Sequence, residues 1–133
     1  MKKSGIINAE LSKFIAGLGH TEKFVICDGG LPIPKGVPVV DLALCGGIPT
    51  FFQVYDAVIN ETAVEYYYLS EDIQTKNTEV LEHIRDSLSG IECRMLPHAE
   101  FKEMTKDVKF IVRTGEFTPF ANVILTAGVA FKV

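Results

Sequence analysis

Short runs of strand-forming apolar residues alternate along this chain with segments whose apolar residues recur every three or four positions, and this alternation limits the fold more than any other feature. Lys23-Phe24-Val25-Ile26-Cys27 is the clearest run, stopping at Asp28-Gly29-Gly30 as a buried strand stops at a turn. Ahead of it, Asn8 is placed to cap a helix whose apolar residues Leu11, Phe14, Ile15 and Leu18 share one face, with Gly17 and Gly19 suited to its end. Pro32, Pro34 and Pro38 exclude regular structure after the first strand and lead to a second, Val39 to Leu44, before Gly46-Gly47. Phe51, Phe52, Val54, Tyr55 and Val58 predict a helix, and Ala63 to Leu69, with three consecutive tyrosines, predicts a strand. Val80, Leu81, Ile84 and Leu88 repeat helically from Thr78 up to Gly90, and Ile91 to Met95 is the next strand. Pro97-His98 opens a short helix carrying Phe101 and Met104. Phe110 to Arg113 and Val123 to Thr126 are two further strands on either side of the Gly115 to Pro119 turn. The expected fold is α/β, a three-layer α/β/α arrangement around a mostly parallel or mixed central sheet, in one domain spanning residues 1–133.

Composition removes several classes of function. Thirteen Lys and Arg against seventeen Asp and Glu give a formal net charge of -4, so no basic field gathers phosphate polymers and nucleic acid is not an expected partner. Mean hydropathy is high, at +0.22, yet charged residues interrupt every apolar run well short of the roughly 18 residues of a membrane span. No membrane insertion is expected, and the surplus apolar surface points to a subunit interface. The first residues, Met1 to Phe14, lack a continuous apolar stretch, and Cys27, Cys45 and Cys93 are too few and too scattered for a disulfide framework or a C-x-x-C pair. A cytoplasmic protein with reduced thiols is the expectation.

In sheets of this class ligands sit beyond the carboxyl ends of the strands. The polar candidates are His20 before the first strand, Asp28 after it, His98 after the Ile91 to Met95 strand, and Arg113 to Asn122 around the last turn. His83 lies within a helix beside Glu82 and Asp86 and is expected to be solvated. No H-x-x-H, H-E-x-x-H or paired-cysteine pattern supports a metal site, no G-x-S-x-G marks a serine hydrolase, and the two Gly-Gly pairs lack the frame of a phosphate-binding loop. What remains is two imidazoles, a carboxylate, an amide and an aromatic. Such a set suits a sugar: carboxylate and amide bond hydroxyls, an aromatic packs on the ring's apolar face, and imidazole moves a proton. Spacing alone equally allows a capping histidine and a turn-forming aspartate.

Four motifs in order narrow this further. Gly19-His20-Thr21-Glu22, the loop Cys27-Asp28-Gly29-Gly30-Leu31-Pro32-Ile33-Pro34, Leu96-Pro97-His98 with Phe101-Lys102, and Arg113-Thr114-Gly115-Glu116 through Pro119-Phe120-Ala121-Asn122 resemble the D-ribose pyranase family. The resemblance runs from Met1-Lys2-Lys3 to Gly128-Val129-Ala130-Phe131. A fucose mutarotase group shares the architecture, but the His20 segment and the Pro-rich loop look more like the ribose branch.

The resemblance implies interconversion of the β-pyranose and β-furanose forms of D-ribose without a cofactor. It implies His20 as proton donor, with Asp28, His98 and the Phe120-Ala121-Asn122 tripeptide contacting the sugar; Lys102, four residues after His98 and on the same face of a helix there, is placed to help hold hydroxyls and ranks below them. The family commonly has tyrosine where this chain has Phe120, which removes one phenolic hydroxyl and leaves the stacking surface. It also implies a ring-shaped homo-oligomer with sites near subunit contacts. Asp28, His98 and a bound water are the candidates for the base. A fucose-type mutarotase and a non-catalytic sugar-binding accessory of a ribose transport system are the competing expectations.

Overall fold

A computed structural model describes the chain from Met1 to Val133. Six strands form one sheet: β1 (Lys23–Cys27), β2 (Val39–Asp41), β3 (Val64–Ser70), β4 (Glu92–Leu96), β5 (Phe110–Arg113) and β6 (Val123–Ala127), in the spatial order β2-β5-β1-β6-β3-β4. The helices are α1 (Ala9–Ala16), α2 (Phe51–Ile59), α3 (Ile73–Lys76), α4 (Thr78–Ser87) and α5 (His98–Met104).

Five strands run one way. β1 pairs parallel with β5, β5 with β2, and β3 with β4, while β6 runs antiparallel to both β1 and β3. The sheet is therefore mixed, and its reversed strand lies in the middle rather than at an edge. That placement matters for everything below. It sets the start of β6 against the end of β1, through Ile26 opposite Val123, and the end of β6 against the start of β1, through Lys23 opposite Thr126.

Alternation along the buried strands divides the apolar side chains between two unequal cores. Phe24, Ile26, Tyr67, Leu69, Phe110, Val112, Val123 and Leu125 pack against Leu11 of α1, Phe51, Val54, Tyr55 and Val58 of α2, and Val80, Leu81 and Ile84 of α4, in a cluster of 21 buried residues. The opposite face holds only 8, where Val25, Cys27, Ile111, Ile124 and Tyr68 meet Phe101 of α5, Leu31 and Val108. The third layer is thus one short helix and the Pro-rich loop.

The helix starts follow from local chemistry. Asn8 accepts the Leu11 N–H at 2.9 Å as expected, and Thr50 with Gln53 forms a reciprocal capping box at α2. The second strand is shorter than its apolar run: it stops at Asp41, whose carboxylate accepts the Ala43 N–H and turns the chain away. Gly115 is required where the segment after β5 crosses the backbone of Cys45 and Ile48, because a Cβ there would collide with both. No helix is long and apolar enough to cross a membrane.

Candidate functional site

The carboxyl ends of β1, β3 and β4 and the start of β6 meet around a cavity of about 250 Å³. Asp28, Pro32, His98, Lys102, Phe120 and Asn122 line it. Four of the expected side chains are therefore brought together, and Lys102 joins them one helical turn after His98. Ala121 is not among the lining groups: it is fully buried in the larger core, so only its backbone can face a ligand.

Asp28 follows the last residue of β1, and its carboxylate is almost fully engaged. Oδ1 accepts the N–H groups of Gly30 and Leu31, both at 2.9 Å, and Oδ2 accepts Asn122 Nδ2–H at 3.1 Å. The Asp28 N–H donates to Asn122 Oδ1 at 2.9 Å. Because β6 is antiparallel to β1, these two residues face each other across the strand ends, and each completes the other's hydrogen bonds. Arg113 Nε and Nη2 donate to the Gly29 carbonyl, while Nη1 reaches the Asp41 carboxylate at 3.0 Å, fixing the loop from its other side. Cys27 adds no nucleophile: burial, and then the negative charge of Asp28, push its thiol up to about 12.

His98 is the first residue of α5. Its Nδ1 lies 3.1 Å from the buried Ser70 hydroxyl at the end of β3, and its ring meets Phe120 edge-on at 4.9 Å. Phe120 has φ +58, a left-handed conformation rare for a bulky residue. The segment before it is tied down by Asn77, the cap of α4, whose Nδ2 donates to Thr118 Oγ1 at 3.0 Å and to the Pro119 carbonyl at 2.8 Å. Glu116 adds a second tether, accepting N–H groups from Phe51 at the start of α2 and from Thr118. Burial pushes the Glu116 carboxyl up, but these donors, with the Thr118 hydroxyl and the Phe117 N–H, outweigh it and hold the group below its usual range.

His20 is not at this cavity. It precedes β1, whose five residues span roughly 17 Å, and so stands at the opposite end of the sheet from Asp28. There it borders a second cavity of about 530 Å³ with Ile15, Leu18, Ala63, Ala127 and Phe131. Its Nε2 lies 3.2 Å from each carboxylate oxygen of Glu65, and both side chains are nearly half exposed, 47% and 44%. His83 is not simply solvated: it stacks on Phe52 and bonds Asp56 at 2.6 Å, joining α4 to α2.

Glu65, Ser70 and Asn77 escape a reading of the sequence. Glu65 and Ser70 sit within a strand that reads as core. The one available signal is the isolated charge of Glu65 directly before three tyrosines. No three His, Cys, Asp or Glu side chains stand close enough together to hold a metal ion.

Comparison with known proteins identifies the family and the fold. The model of the RbsD / FucU transport protein family matches residues 1–130. A D-ribose pyranase of Geobacillus thermodenitrificans is 52% identical over 132 residues, covering 99% of this chain and 100% of that one. The Bacillus subtilis RbsD structure, solved in complex with D-ribose, superposes with a TM-score of 0.94 at 47% identity, covering 98% and 100% of the two chains. The fucose mutarotase of Streptococcus pneumoniae, solved with L-fucose, shares the fold at a TM-score of 0.82 over 98% and 100% of the chains, at only 20% identity.

Proposed function

The chain belongs to the RbsD / FucU transport protein family, and from that premise we propose that it is a D-ribose pyranase, converting the β-pyranose form of D-ribose to the β-furanose and back. The observation that carries this reading is the cavity at the strand ends, where one carboxylate, one imidazole, one ammonium, one amide and one aromatic ring converge. The remaining lone pair of Asp28 Oδ2, with Lys102 and His98, suits hydroxyl groups, and Phe120 supplies an apolar face.

The chemistry is proton movement alone. Opening the hemiacetal places a proton on the ring oxygen as its bond to the anomeric carbon breaks, while the anomeric hydroxyl gives its proton to a base and becomes the aldehyde. The open chain rotates, the 4-hydroxyl adds to the aldehyde carbon, and both protons return. His20 is the acid. Asp28, His98 and a bound water are the candidates for the base. A positioned acid–base group supplies about 10²–10⁴-fold in rate.

Since His20 stands at the far end of β1 from the cavity, the working site is built from two copies, one giving the cavity and the other His20. Exposed apolar side chains support this pairing at both ends: Phe117, 81% exposed, and Leu44 line a separate pocket with Gly29 of the Asp28 loop, and Phe131, 70% exposed, lies beside His20. A closed ring of copies repeats such a head-to-tail contact without leaving an unpaired end. Three free thiols fit a cytoplasmic setting.

Magnetisation transfer between the pyranose and furanose signals of D-ribose at equilibrium tests the activity directly. Exchange accelerated by the chain, and slowed about 10²–10⁴-fold by His20→Ala with ribose affinity kept, is the expected outcome. Exchange no faster than in buffer removes the enzyme reading and leaves a sugar-binding role.

A further inference from the structure

We propose that Glu65 is the positioning residue for His20, and that it makes Nδ1 the nitrogen that gives and takes the proton at the sugar. The inference rests on the assignment of His20 as the acid. Three observations lead to it.

An ionised carboxylate only accepts hydrogen bonds, so Nε2, 3.2 Å from both Glu65 oxygens, must carry the hydrogen. Nδ1 is then left free to face a ligand. The ring is held in one tautomer and one orientation, which an acid needs if its proton is to arrive in line with the oxygen receiving it.

Glu65 is also where it is because the sheet is irregular there. Val64 pairs with Ala127 and Tyr66 with Thr126, so two steps along β3 match one step along β6 and Glu65 is the extra residue of a bulge. Bulges break the strict alternation of faces and re-aim a side chain. Here the bulge is closed by Gly128 N–H donating to the Ala63 carbonyl at 2.8 Å, and the re-aimed carboxylate meets His20. Tyr66 and Tyr68 resume the alternation immediately afterwards.

The other carboxylates near His20 are already committed. Glu61, which borders the same cavity, accepts the Ile6 N–H at 3.1 Å and lies 3.8 Å from Lys2 Nζ. Glu22, two residues after His20, pairs with Lys109 at 2.5 Å. No lysine or arginine pairs with Glu65, whose side-chain partner is His20.

In the reaction, His20 Nδ1–H gives its proton to the ring oxygen as the ring opens, and Nδ1 takes the proton of the 4-hydroxyl as the new ring closes. Glu65 accepts the Nε2–H throughout and exchanges no proton. Its effect is therefore on the rate at saturating sugar and not on sugar affinity.

Two measurements test this. In Glu65→Gln, which keeps size and shape, exchange at saturating D-ribose should fall about 10- to 100-fold, within the range an acid–base group supplies, while half-saturation stays unchanged. In the unmodified protein, long-range ¹H–¹⁵N spectra should show the neutral His20 ring with its hydrogen on Nε2, and that preference should weaken in the variant. An accelerating chain whose Glu65→Gln variant keeps the full rate, or a neutral His20 carrying its hydrogen on Nδ1, overturns the role of Glu65 alone. A chain that does not accelerate exchange at all overturns the assignment of His20 on which the inference rests.

Discussion

The two ends of β1 are built to opposite specifications. At its carboxyl end Asp28 and Asn122 are buried and satisfy each other with two mutual hydrogen bonds, and two further backbone donors complete the carboxylate. At its amino end His20 is half exposed and has one partner, Glu65. The first arrangement is rigid before any ligand arrives and offers only a few lone pairs in fixed directions, as sugar recognition requires. The second is open, with one ring nitrogen free, as proton delivery requires. On the proposed reading, recognition and proton transfer are separated along a single strand and reunited only between copies.

The largest way to break this contrast after His20→Ala is Asn122→Ala. It leaves the buried Asp28 N–H and Oδ2 without their partners, and a buried polar group left unsatisfied costs about 1–3 kcal/mol. Denaturant midpoints should fall accordingly and ribose affinity should fall with them, whereas His20→Ala should leave both nearly unchanged. Equal stability losses for the two variants would erase the distinction between the ends.

Phe120→Tyr sharpens the recognition end. It adds the phenolic hydroxyl that the family resemblance leads one to expect there, and one added hydrogen bond is worth about 0.5–1.5 kcal/mol net, or roughly 2- to 13-fold in affinity by calorimetry. Weaker binding would mean that the left-handed backbone at Phe120 aims the ring away from the sugar.

The smallest effect concerns acid. Glu116 is held below its unfolded value, so it adds stability above the unfolded pKa, and that contribution is lost as pH falls through the folded one. Glu116→Gln should therefore flatten the acid limb of the stability curve. An unchanged limb would remove the tether between α2 and the 114–122 loop from the account of that end.

Much of the fold was legible because its signals are local. Strand runs such as Lys23 to Cys27 and helical repeats such as Val80 to Leu88 reflect burial on one or both faces, and the motif residues Asp28, His98, Phe120 and Asn122 do meet at one cavity. The order of strands was not legible, since which strands pair depends on contacts distant in sequence. β6 in the middle of the sheet is the case that matters: it joins Asn122 to Asp28, and it equally leaves His20 at the wrong end for a site within one chain. The bulge that turns Glu65 toward His20 is invisible for a related reason, because it is a mismatch between two strands and not a property of either. Asp41 shows the limit of propensity, ending a strand inside an apolar run where its carboxylate accepts the Ala43 N–H and pairs with Arg113.

The most direct test of a site shared between copies is to mix His20→Ala with His98→Ala, each defective in ribose exchange, by co-refolding equal amounts. In a random assembly, about a quarter of the sites pair an intact His20 with an intact cavity, so exchange should recover to about a quarter of the unmodified rate. A mixture no more active than the mean of the two parents would contradict the shared site and require both residues to act within one chain.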